Sequence, residues 1–167
     1  MISESKHFLF VSAPFGGIDI FIRNVFTVSR TSPGVRATLL PIEWNPNEWL
    51  ARVPPFSWNW TLKASLIAWK RIRSLIRSGE RFDGAVFNHL TPLLFLASFT
   101  RRTPHVLLLD TTPMVFEKHR AIYGGTTDTW LRRRTRGVRN AIARGAYLRA
   151  SHLLPWSEEV QMSLVED

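Results

Sequence analysis

Short apolar runs alternate with helix-periodic segments along almost the whole chain, and that alternation limits the folds open to it. Phe8 to Ser12 is an apolar run ending at a proline and two glycines, in the stretch APFGGIDIF, Ala13 to Phe21. It reads as a buried strand. Asp19 can cap the segment behind it, where Ile20, Phe21, Val25 and Val28 give a helical face. Thr31-Ser32-Pro33-Gly34 stops that helix, and Val35 to Trp44 reads as a second strand. Asn45 to Trp60 is expected to be a tryptophan- and proline-rich loop.

Leu62, Leu66, Trp69, Ile72 and Ile76 recur at spacings of three and four, which predicts an amphipathic helix ended by Ser78-Gly79. Phe82 to Asn88 is a third strand. Thr91-Pro92 opens an apolar helix, with threonine as cap, closed by Arg101-Arg102. Pro104 to Asp110 has no alternation and reads as a strand buried on both faces. Thr111-Thr112-Pro113 opens another helix, and a basic helix follows from Trp130, weakened by Gly137 and Gly145. Ser151 to Trp156 is a fifth strand, and Ser157-Glu158-Glu159 starts a last helix. The pattern predicts an α/β fold: a doubly wound, mostly parallel sheet flanked by helices, in a single domain over 1–167.

Ligands bind such sheets beyond the carboxyl ends of the strands. The loops Ala13–Asp19, Asn88–Pro92, Asp110–Pro113 and Pro155–Glu158 are therefore the candidate site. Gly16 and Gly17 lead into a helix N-terminus, where unpaired N–H groups favour a phosphate and the missing side chains admit close approach. A plain structural turn explains them equally simply, since the loop is neither GxGxxG nor a Walker A loop. His89 could act as a base, and Asp110 could take a proton from a hydroxyl. His105, inside a strand, reads as a packed core histidine. No histidine pair has metal-ligand spacing, so no metal and no cofactor is expected. With no cysteine, disulfides, iron–sulfur clusters and thiol nucleophiles are excluded.

The net charge of +9 is concentrated. Leu131 to Arg149 holds seven arginines, among them Arg132, Arg133, Arg134 and Arg136, and no acid. Thr61 to Arg81 adds six basic residues against Glu80. An anionic partner fits this, and a solvated helix face fits it as well. Nucleic acid is disfavoured, because no aromatics are interleaved with the arginines. The N-terminus lacks the features of a secretory signal and no stretch is long and apolar enough to span a bilayer, so a cytoplasmic placement is expected, with a peripheral position on the inner face of the membrane compatible with it.

FVSAPFGGIDIFIRN, LLLDTTPMVFEKHRAIYG (with Tyr123-Gly124) and ASHLLPWSEEVQMSLVED resemble the N-terminal domain of glycosyltransferase family 4 enzymes. The resemblance implies half of a GT-B fold, a Rossmann-like domain that holds the acceptor while a second domain grips a nucleotide-sugar donor. It implies that Gly16, Gly17 and Asp19 approach donor phosphate and acceptor. Asp110, Thr111, Thr112, Trp156, Ser157 and Glu158 then line the acceptor side of the cleft, and His89 is a further polar cleft position. A histidine common in the family's first helix is replaced here by Phe21, Ile22 and Arg23. The paired-glutamate donor motif and the second domain are not in the sequence, so the chain is expected to be a fragment, a truncated reading frame or one subunit of a split transferase with a donor-domain partner chain, and the domain is expected to be inactive alone. The implied acceptor is a glycan or a lipid-linked hydroxyl. The competing expectation is a non-catalytic basic module that binds nucleic acid or anionic lipid.

Overall fold

The computed structural model describes residues 5–14, 16–43, 53–54, 59–119 and 130–166, with side chains left out at 130–133, 135, 139 and 166. The elements run β1 (Lys6–Ser12), α1 (Gly16–Thr31), β2 (Val35–Pro41), α2 (Trp60–Arg77), β3 (Gly84–Phe87), a 3-10 turn (Thr91–Phe95), α3 (Ala97–Thr100), β4 (His105–Leu109), α4 (Pro113–Lys118), α5 (Trp130–Tyr147), β5 (His152–Pro155) and α6 (Glu158–Glu166). The five strands form one sheet in the order β2-β1-β3-β4-β5. Every pairing is parallel. This is the expected α/β fold, doubly wound and Rossmann-like, with no antiparallel edge. The chain leaves β1 toward β2 and then returns past it to β3. The winding therefore reverses between β1 and β3, which opens a crevice at their carboxyl ends.

The pleat sends alternate residues to opposite faces. Leu9, Val11, Ala85, Phe87, Leu107 and Leu109 point into the larger core, which α2, α5 and α6 complete with Ala64, Ala68, Ile72, Ala143, Ala146 and Val160. Phe10 and Leu108 point the other way and meet α1 through Ile18 and Ile22. His105 is buried at 2% exposure, edge-on to Phe87.

Several expected details differ. In α1 the buried stripe is Ile18, Ile22, Val25 and Phe26, not the Ile20–Phe21–Val28 side. Ile20 and Val28 are 63% and 66% exposed. Apolar residues surround this helix, so their spacing does not select a face. In α2 the buried residues are Lys63, Ala64, Ser65, Ile67, Ala68 and Ile72, of which Ala64, Ile67, Ala68 and Ile72 join the core, while Ile76 is exposed. The helix packs closely on the 3-10 turn, where Ser65 Oγ donates to Thr91 O at 2.9 Å, and Leu62, Leu66 and Trp69 are only partly buried. Thr91-Pro92 opens a 3-10 turn and only a four-residue α3 follows. Thr91 is not its cap, because His89 Nδ1 accepts the Thr91 N–H at 3.0 Å. Asp19 does not cap α1 either, since that helix already starts at Gly16. Tyr123-Gly124 and most of the tryptophan-rich loop lie outside the described residues.

Among the described residues, no helix is long and apolar enough to cross a membrane.

Candidate functional site

The carboxyl edge of the sheet carries a cavity of about 780 Å³. Gly17, His89, Asp110, Thr111, Thr112 and Trp156 all line it, with Asn59 and Trp60 at the start of α2 and Ala143, Ala146 and Tyr147 on the inner side of α5. They come from the starts of helices α1 and α2, from the segments that follow β3, β4 and β5, and from α5. The parallel sheet thus gathers onto one wall residues that lie far apart in sequence.

Gly16 and Gly17 form the first turn of α1 rather than a loop before it. Neither has a positive φ, and among the described residues only Gly34 and Gly79 do. A Cβ built on Gly17 would meet Trp156 Cζ3 at 3.9 Å, an ordinary contact. Neither the backbone nor the packing therefore requires glycine at 17. Trp156 stands edge-on to Phe21, with ring centroids 5.6 Å apart, and walls the mouth beside Gly17.

The approach to Gly17 is set by Asn88, whose side chain is fully buried. Its Oδ1 accepts from Ala13 N at 2.7 Å and its Nδ2 donates to Ala13 O at 2.8 Å. Both backbone hydrogen-bonding groups of one residue are satisfied in a place that water does not reach. Sequence reasoning placed Asn88 at a strand end but gave it no task.

His89 follows directly. Its Nδ1 accepts the Thr91 N–H, and Thr91 Oγ1 lies 2.6 Å from the same nitrogen. The neutral ring thus carries its proton on Nε2 and acts there as a donor. Burial holds His89 below the ordinary histidine range, and the Asp110 carboxylate pulls the other way. The expected base is, in this tautomer, a hydrogen-bond donor.

Asp110 ends β4. Its Oδ1 is buried and has no hydrogen-bond partner among the described residues. A buried carboxylate oxygen left without a donor costs free energy, which a ligand hydroxyl or amine would recover. Thr111 Oγ1 donates to Thr112 O at 3.2 Å. Thr112 caps α4 through Val115 N and is held by Ser163, so its hydroxyl is committed to the fold.

The remaining expected residues sit apart from the cavity. The Asp19 carboxylate is taken by the Ser12 hydroxyl and by Arg23 Nε at 3.0 Å. Ser157 accepts from Val160 N at 3.2 Å and so caps α6. Glu158 is an exposed first-turn acid of that helix. Arg134 and Arg136 are exposed on α5, and the side chains of Arg132 and Arg133 lie outside the described residues. No group of three metal-ligating side chains occurs among the described residues.

Trp60, Tyr147 and Asn140 also line the cavity and were not anticipated. They come from helices that only the folded sheet brings to its carboxyl edge. Comparison with protein-family models and with curated proteins finds no match.

Proposed function

We propose that this domain is the acceptor-side half of a sugar transferase, of the glycosyltransferase family 4 kind, and that the cavity holds a hydroxyl acceptor. The observation that carries the reading is the buried, unpartnered Oδ1 of Asp110 in a cavity shared with His89. A hydroxyl entering there donates to Asp110. As the acceptor oxygen bonds to the anomeric carbon of a nucleotide-diphosphate sugar, its proton passes to the carboxylate and the bond to the diphosphate breaks. His89 Nε2–H donates to a neighbouring oxygen of the acceptor and orients it. The first N–H groups of α1, beside Gly17, face the side from which the diphosphate arrives. The nucleotide is held by a second α/β half closing over the same edge.

The test is a titration followed by backbone amide shifts, with uridine- and guanosine-diphosphate sugars and with glycan and lipid-linked hydroxyl acceptors. Acceptors are expected to move Gly17, His89, Asp110 and Trp156, and Asp110→Asn is expected to abolish those movements. A panel at saturation that leaves these residues still, or shifts that survive Asp110→Asn, overturns the reading.

A further inference from the structure

α5 carries apolar residues on two sides. Its inner side reaches the core through Ala143, Ala146 and Tyr147. The opposite side follows Val138, Ala141, Gly145 and Leu148, at spacings of three, four and three, which places them on one face. Val138 is 62% and Leu148 74% exposed, with Ala141 exposed between them. Arg134 stands in line with this stripe one turn before Val138, Arg144 and Arg149 flank it, and all three are exposed; Leu148 and Arg149 follow directly on the end of the helix. The polar Asn140, by contrast, lines the cavity. A helix whose outer face merely meets water would carry its arginines along the middle of that face. Here Arg134 heads the face, the middle from Val138 onward is apolar, and Arg144 and Arg149 flank it.

We infer that this face of α5 seats the domain on an anionic lipid bilayer. An exposed apolar strip between arginines suits the boundary of headgroups and acyl chains: the aliphatic side chains enter it, and the guanidinium groups reach back to the phosphates. Charge complementarity selects this occupant. From Leu131 to Arg149 there are seven arginines and no acid. A second copy of the chain would set like charges against each other, whereas an anionic surface attracts all of them. Nucleic acid would use the arginines but leave Val138 and Leu148 in water. The inference does not depend on the sugar-transfer reading.

The test is flotation with phosphatidylcholine vesicles, with and without phosphatidylglycerol. Binding is expected only to the anionic vesicles and is expected to fall as salt rises. Val138→Asp with Leu148→Asp should weaken it by about tenfold or more. Arg134→Gln with Arg144→Gln should also weaken it by about tenfold or more. Thermal unfolding of each variant shows whether the fold is kept. Should the aspartate pair fail to fold, Val138→Ser with Leu148→Ser replaces it. Absence of binding to anionic vesicles overturns the inference. So does wild-type binding by the folded apolar variants, binding to an oligonucleotide in place of vesicles, or a concentration-dependent dimer that ignores vesicles.

Discussion

Asn88 holds Ala13 by two hydrogen bonds, accepting from its N–H at 2.7 Å and donating to its carbonyl at 2.8 Å. The pair spans the crevice where the winding of the sheet reverses and fixes the chain three residues before α1. Asn88→Ala orphans both groups in a dry site. It should lower the unfolding free energy by about 1–3 kcal/mol and loosen the start of α1. Urea unfolding measures the first effect, and hydrogen exchange at Gly17 and Ile18 measures the second. Unchanged exchange there would mean that α1 keeps its own register.

Asp110→Asn should separate stability from binding. Replacing an unpartnered, buried carboxylate oxygen by a neutral amide leaves stability equal or higher by about 1 kcal/mol. Acceptor affinity should fall, because the amide presents a weaker acceptor to the entering hydroxyl. Thermal unfolding and titration on the same preparation check both. A marked loss of stability would show that Asp110 serves the fold.

Two glycines should respond in opposite ways. A Cβ on Gly84 would lie 2.9 Å from Phe8 Cε1 and 3.0 Å from Cδ1. Gly84→Ala therefore pushes a ring in the α1-side core and should cost about 1–3 kcal/mol. Gly17→Ala meets only an ordinary contact and should gain up to about 1 kcal/mol from the reduced freedom of the unfolded chain. Ligand binding at the cavity mouth should nevertheless weaken as the methyl enters it. Chemical denaturation and ligand titration of the two variants decide this.

Stability should fall in acid in two stages. Burial is the main reason that His89 and His105 lie below the ordinary histidine range. Above about pH 7 both rings are neutral, folded or unfolded, and contribute no slope. Below about pH 6.5 the unfolded rings take up protons first, so acid favours unfolding until the folded rings titrate as well. Asp83 and Glu159 are also held low, by the His7 N–H and by Lys118 respectively. Their stabilisation is present above the usual carboxylate range and is lost as pH falls through and below it. Urea midpoints across this range should show the upper stage, and His105→Gln should flatten it. An equal decline in the variant would place that stage elsewhere.

The order of strands and helices was legible because a buried parallel strand and an amphipathic helix leave different periods in the sequence. The carboxyl-edge position of Gly17, His89, Asp110 and Trp156 followed from the same reading. The helix faces did not. In α2 the buried set mixes Ile67 and Ile72 with Lys63, Ala64, Ser65 and Ala68, and small or polar residues give little hydrophobic signal beside Leu62, Leu66 and Trp69. His89 as a donor was equally hidden, since its tautomer depends on one backbone N–H two residues away. Asn88 looked like an ordinary strand end, because its partner lies 75 residues earlier in the chain.

That separation bears on how the molecule folds. Every strand pair is parallel, so no hairpin can bring two strands together locally. β1 can join β3 only after a long intervening segment has closed into a loop, which is a slow event for a chain of this topology. Refolding should therefore show helical signal early, and competence to bind at the cavity should return last.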